Sequence, residues 1–183
     1  MARPGALVLV VGPSGAGKDT LMGAARAQLA GDPGFVFARR VITRDAVASL
    51  EDHDSIDHAG FEAARARGDY ALSWEAHGLC YGVPAAIDED IAAGRTVVVN
   101  GSRRMIGDAQ ARYPRSMVVL VTADPAVRAR RLAGRGRETE AEIAARLAHE
   151  GAPVPSGIET IRIDNSGDLD SAAAALVRAI RLA

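Results

Sequence analysis

Cysteine is nearly absent from this chain of 183 residues. The one thiol, Cys80, can form no disulfide within the chain, so a reducing, cytoplasmic setting is expected. No run approaches the ~20 apolar residues of a membrane span. The first residues carry one arginine and pass straight into an apolar strand, so no cleaved signal peptide is expected. A net charge of −1 supplies neither a basic field for nucleic acid nor a polybasic segment for a membrane surface. Internal repeats are absent, and so are low-complexity tracts beyond a general richness in alanine. Lysine is scarcest in a telling way. Lys18 is the single lysine among 22 basic residues, so it stands where a compact ammonium on a thin stem is needed and a planar guanidinium would not serve.

What remains is 48% apolar and of ordinary domain length, which fits one globular α/β domain spanning 1–183. Lys18 sits in Gly12-Pro13-Ser14-Gly15-Ala16-Gly17-Lys18-Asp19-Thr20. An apolar run, Ala6 to Val11, precedes this stretch, and a helical pattern follows it to about Leu29. Strand, glycine-rich turn and helix are the context of a phosphate-binding P-loop. Glycine lets the backbone approach a phosphate closely, and the helix N-terminus faces the anion with its amides and its dipole. The residue after the lysine departs from the usual Ser or Thr that binds Mg²⁺. It is Asp19, with Thr20 next, and both are candidates to hold the metal; a carboxylate in the first turn also suits the helix dipole.

Further along, Phe35 to Ile42 reads as a strand. It delivers Arg39, Arg40, Thr43, Arg44 and Asp45 to one end of the sheet, where arginines suit phosphate. A polar insert, about 44–82, begins with acidic Glu51-Asp52-His53-Asp54. It continues with a helix capped by Asp57 and running to about Arg67, and it closes with short strands 70–74 and 78–83. Pro84 is expected to open the next helix. His53 and His58 lack the spaced Cys or His that would complete a metal set. Strand 96–99 ends in Asn100-Gly101-Ser102-Arg103, where many P-loop enzymes carry an aspartate for Mg²⁺; its absence favours Asp19 as the replacement. Strand 117–121 leads to Asp124 and Pro125 as N-cap and first helical residue. The basic, glycine-punctuated run 128–138, with a helix from about Thr139 to Glu150, reads as a mobile lid (about 134–147). Arg131, Arg135 and Arg146 would close over phosphates, while Arg128 and Arg130 suit a solvated face. A strand at 158–163 and an amphipathic helix at 169–182 complete the pattern. Strands alternating with helices predict a parallel sheet covered on both faces, with the site at its carboxyl ends.

The P-loop Gly-Pro-Ser-Gly-x-Gly-Lys, Thr43-Arg44, Tyr81-Gly82 and the Arg-Leu-x-x-Arg-Gly lid resemble the guanylate kinase fold across nearly the whole chain. That resemblance implies a P-loop kinase with three layers, ATP, Mg²⁺ and an acceptor that is itself a phosphate. Gly17-Lys18-Asp19, Ile42-Thr43-Arg44-Asp45, Ala71-Leu72-Ser73-Trp74, Gly78-Leu79-x-Tyr81-Gly82-Val83, Val99-Asn100-Gly101-Ser102-Arg103 and Arg135-Gly136-Arg137-Glu138 resemble more closely the ribose 1,5-bisphosphate phosphokinases. These enzymes of phosphonate breakdown make phosphoribosyl diphosphate. Guanylate kinases read guanine with a glutamate nine residues before the tyrosine of Tyr-Gly. Leu72 holds that place here, and Val83 replaces the polar residue after Tyr-Gly, so a guanine would lose its partners.

The closer resemblance implies transfer of the ATP γ-phosphoryl group to the 1-phosphate of ribose 1,5-bisphosphate. The P-loop residues Gly12 to Thr20 would hold ATP, Lys18 with Arg131, Arg135 and Arg146 would act in transfer, and Asn165 would lie near adenine. Arg40, Arg44, Tyr81, Asn100, Ser102 and Arg103 would hold the acceptor. Two alternatives stand beside this: a GMP kinase, against which Leu72 speaks, and a non-catalytic interaction module, against which the intact Lys18 and lid arginines speak.

Overall fold

The computed structural model describes residues 5–44, 53–136, 138–148 and 151–183. Asp45, Glu51, Asp52, Arg137 and Glu150, named above, lie outside them. In chain order, β1 (Ala6–Val11) leads to α1 (Lys18–Leu29), β2 (Phe35–Phe37), β3 (Arg40–Ile42) and β4 (His53–Ser55). Then come α2 (His58–Arg67), β5 (Tyr70–Ala76), β6 (Leu79–Pro84), α3 (Ile87–Ala92) and β7 (Thr96–Asn100). A 3-10 turn (Arg103–Met105) enters α4 (Ile106–Arg112), followed by β8 (Ser116–Thr122), α5 (Pro125–Gly134) and α6 (Glu140–Ala148). The chain finishes with β9 (Thr160–Asp164) and α7 (Leu169–Leu182).

Five of these strands form a parallel sheet in the order β2-β7-β1-β8-β9. Its strands alternate between two apolar layers. Val8, Val10, Val98 and Val119 face Leu21 and Ala25 of α1 and Ala173 and Leu176 of α7. Leu7, Leu9, Val97 and Val118 face Ile87, Ile106 and the second sheet. A strand buried on both faces has no solvent side, which is why β1 reads as one unbroken apolar run. Strand order reverses at β1, between β7 and β8, and a crevice opens there at the carboxyl ends, the usual ligand position in such sheets.

The second sheet has the order β4-β3-β6-β5, with β6 antiparallel to both β3 and β5. Its hairpin turns on His77 (φ 53°) and Gly78 (φ 73°), the two positive-φ positions of a type I′ turn. That turn sets the register Ala76–Leu79, Glu75–Cys80 and Trp74–Tyr81. Two expectations are corrected. Residues 35–42 are two strands: Phe35–Phe37 joins the parallel sheet, and Arg40–Ile42 joins the second, so the chain changes sheets at Ala38-Arg39. Pro84 is the last residue of β6, beyond the pairs Val41–Gly82 and Ile42–Tyr81 that join β6 to β3, and α3 starts only at Ile87.

Candidate active site

The P-loop joins β1 to α1, and its shape is imposed by contacts from behind. Gly12 (φ 154°) would put a Cβ 2.1 Å from the Val121 carbonyl oxygen, so only glycine fits against β8. Gly17 (φ 81°) caps α1, and a Cβ there would lie 2.7 Å from Asn165 Nδ2. Five consecutive carbonyls, Gly12 to Ala16, each accept from a side chain. Lys18 Nζ donates to Gly12 (2.8 Å) and Pro13 (3.3 Å). Arg128 Nε donates to Ser14 (2.9 Å). Arg131 Nη1 donates to Gly15 (3.4 Å) and Ala16 (3.2 Å), and Asn165 Nδ2 to Ala16 (2.8 Å). With their carbonyls held, these residues form a fixed cradle, and the first-turn amides of α1 have no intrahelical acceptor.

In front of the loop lies a cavity of about 310 Å³. Among the described residues, Lys18 and six arginines line it (Arg40, Arg44, Arg103, Arg104, Arg135 and Arg146), against one carboxylate, Asp19. Burial lowers the Lys18 pKa to about 8; Asp19 opposes the drop, and Arg40, Arg103 and Arg135 add to it. A protein of net charge −1 has thus collected cations around one cavity, which a polyanion would neutralise.

The wall opposite the P-loop is a row of stacked groups. Tyr81 lies on Trp74 with ring centroids 5.2 Å apart and planes 6° apart. The Arg40 guanidinium sits 5.6 Å from the centre of the Tyr81 ring. Arg40 also reaches to 3.8 Å from the Asp19 carboxylate, which accepts from Asn100 Nδ2 at 2.5 Å. One face of the hairpin therefore carries Trp74 and Tyr81 into the cavity and the pair Leu72–Val83 into the core. From the lid side, Arg146 donates to Ser14 Oγ and to Glu138, fastening α6 to the P-loop.

Gly12, Pro13, Ser14, Gly15, Gly17, Lys18 and Asp19 line this cavity, as do Arg40, Arg44, Tyr81, Asn100, Ser102, Arg103, Arg135 and Arg146. Others among the expected residues stand elsewhere. Thr20 is exposed and is not among the lining residues, because the helical turn carries it away from the loop. Ala16 is fully buried behind the loop. Asn165, expected near adenine, is 2% exposed and holds the loop from the rear. Arg131, expected on a mobile lid, is a brace on α5; besides the loop carbonyls it donates to the Asn165 carbonyl at 2.7 Å. Arg128, expected in solvent, is 4% exposed. The basic run is thus helical as far as Gly134, and only 135–139 links it to α6. Trp74, His77 and Arg104 line the cavity without having been assigned to it. The first two were within reach, since a two-residue turn at His77-Gly78 puts Trp74 opposite Tyr81.

A P-loop at the switch point of a parallel sheet, facing an arginine-rich cavity, defines a kinase of the guanylate kinase fold. A guanylate kinase from Anaplasma phagocytophilum has that fold, with a TM-score of 0.70 over 98% of this chain and 86% of that one, at 14% identity. Residues 8–146 match the family described as AAA domain. Sequence is more particular. The chain is 51% identical over 178 residues to the ribose 1,5-bisphosphate phosphokinase PhnN of Methylobacterium radiotolerans, covering 97% of this chain and 98% of that protein. It is 49% identical over 173 residues to that of Brucella melitensis, covering 94% and 90%. It is 56% identical over 154 residues to that of Acidiphilium cryptum, covering 84% and 82%. The chain belongs to the ribose 1,5-bisphosphate phosphokinase PhnN family.

Proposed function

We propose that this protein transfers the γ-phosphoryl group of ATP to the 1-phosphate of ribose 1,5-bisphosphate, giving 5-phosphoribosyl 1-diphosphate and ADP. The observation that carries the reading is the cavity itself: seven cationic side chains facing one carboxylate, with an apolar Leu72–Val83 pair where a nucleobase would need polar partners. The acceptor oxygen is a phosphate oxygen, already anionic at neutral pH, so no general base is needed. The work is positioning and charge neutralisation. Lys18 leaves the Gly12 and Pro13 carbonyls to meet the donor phosphates, and the first-turn amides of α1 hold them. Arg40, Arg44, Arg103 and Tyr81 grip the acceptor phosphates, and Asn100 and Ser102 face the sugar. Arg135 and Arg146 face the charge that spreads during transfer.

Magnesium fits this site. Asn100 Oδ1 is buried and accepts no hydrogen bond, and it belongs to the amide bonded to the Asp19 carboxylate. Two such oxygens are hard donors of the kind Mg²⁺ takes, directly or through water. Bound there, the ion would neutralise charge on the β- and γ-phosphates. ATP and a sugar phosphate are the partners proposed, with a place in phosphonate metabolism. No described helix is long and apolar enough to cross a membrane, and the lone thiol fits a cytoplasmic site.

The test is a paired assay with Mg-ATP, offering ribose 1,5-bisphosphate and GMP as acceptors. Phosphoribosyl diphosphate with little GDP is the expected result. Efficient GDP formation would overturn the acceptor assignment, and no transfer to either would leave only a binding module.

A further inference from the structure

On the far side of the second sheet from the cavity, three side chains from two elements converge. His58, Glu62 and Cys80 each offer a ligand atom, and the three atoms lie within 4.8 Å of one another. We propose that they form a site for a borderline transition-metal ion, Zn²⁺ above all, separate from the Mg²⁺ site of phosphoryl transfer.

The sequence argued against such a set, because no cysteine or further spaced histidine joins His53 and His58 in a ligand pattern. The fold supplies one. Asp57 caps α2 by accepting from Gly60 N at 2.7 Å, so the helix start is fixed. His58 and Glu62 are then one turn apart on the same face. Cys80 comes from the adjoining sheet, on the opposite face of β6 from its neighbour Tyr81. It is buried and free of any disulfide. Its backbone is held on both sides, since its N–H donates to Thr43 Oγ1 at 2.8 Å and its carbonyl accepts from Thr43 N at 3.1 Å. The thiol is therefore the rigid member of the set, and the exposed His58 is the adjustable one.

The donor chemistry selects the ion. One imidazole, one carboxylate and one thiolate are the ligand types zinc takes, with donor atoms about 3.5 Å apart in a tetrahedral shell. With every pair already within 4.8 Å, binding would draw the atoms together by little more than an ångström. Glu62 Oε2 already accepts from Arg65 Nη2 at 2.6 Å, which leaves the other carboxylate oxygen for the metal. Such a hydrogen bond orients a ligating carboxylate. A fourth position remains for water. Hard Mg²⁺ is a poor fit to sulfur, which separates this site from the oxygen pair Asp19 and Asn100.

The consequence is mechanical. A metal here ties α2 to Cys80 of β6, whose neighbour Tyr81 stands in the acceptor wall, and through the Cys80–Thr43 hydrogen bonds to the segment just after β3, where Arg44 lines the cavity. Binding displaces the thiol proton, so affinity rises with pH.

The experiment is titration of the full-length, metal-free protein with Co²⁺ as a spectroscopic stand-in, then competition with Zn²⁺. The expected result is one equivalent bound, with tetrahedral d–d bands and a sulfur-to-cobalt charge-transfer band, both displaced by Zn²⁺. His58→Ala and Glu62→Gln, near the surface and safe for folding, should each weaken binding at least about tenfold. Cys80→Ser should remove the charge-transfer band, while Asp19→Asn should leave it unchanged. Because Cys80 is the only thiol, Zn²⁺ should also slow its alkylation in the wild-type protein. That measurement decides the matter even if Cys80→Ser folds poorly. Cobalt bound without the sulfur band, or alkylation indifferent to Zn²⁺, overturns the site.

Discussion

The two walls of the cavity are built by different means. The donor wall is backbone: the Ser14, Gly15 and Ala16 carbonyls are held from behind by Arg128, Arg131 and Asn165, and those of Gly12 and Pro13 by Lys18 from the cavity side, leaving amides in front. The acceptor wall is side chains: Arg40 on Tyr81 on Trp74, with Arg44 and Arg103 beside them. A backbone cradle reads the geometry common to all nucleoside triphosphates, and it tolerates few changes. A side-chain wall can change its ligand by substitution while the fold stays the same.

This contrast can be broken most severely at Lys18. Lys18→Ala should reduce phosphoryl transfer by about 10³-fold, on the scale of losing one electrostatic stabiliser of the transition state, with little change in fold. Steady-state product formation measures it. Next is Arg131→Ala, which removes three charged hydrogen bonds behind the loop. It should cost about 3 kcal/mol of stability and raise the KM for ATP well above any change for the acceptor. Thermal unfolding and the two KM values check the split, and an equal rise in both would mean the walls are not independent.

On the acceptor side, Arg44→Ala should raise the acceptor KM by about tenfold or more while leaving ATP binding unchanged. Trp74 is the single tryptophan, so its fluorescence should respond to the sugar phosphate and much less to ATP. A pH profile sharpens the donor side. With the Lys18 pKa lowered to about 8, the free protein loses that charge as pH rises through this value. The kcat/KM for ATP should therefore fall above pH about 8. The kcat should hold to higher pH, because bound phosphates favour the ammonium. Smallest is Asp19→Asn, expected to raise the Mg²⁺ requirement a few fold more than the ATP requirement. Identical Mg²⁺ titrations would leave Asp19 as a helix-start residue.

The donor wall was legible because its spacing is itself the signal: glycines at fixed offsets and one irreplaceable lysine. Arginine was harder to place. A basic run suggests a mobile cover, yet Arg128 and Arg131 lie on a helix whose phase turns them onto the loop, and sequence does not say which carbonyls a guanidinium will meet. The bracing contact of Asn165 was hidden for the same reason, since its side-chain amide donates to a backbone carbonyl 149 positions away. The change of sheets at Ala38-Arg39 was hidden because two short strands in series read as one. The approach of His58 to Cys80 was not legible, because it depends on how α2 lies across the hairpin.

The Lys18 amine, resting on two carbonyls inside the cavity, has a use in chemical labelling. Acylating reagents have no other side-chain amine to modify on this protein. With a pKa of about 8, roughly half of the Lys18 amines are neutral and nucleophilic at that pH. Peptide mass spectrometry after acylation, read at Lys18 and apart from the α-amino group, would thus report occupied donor sites, since each bound triphosphate shields that one side-chain amine.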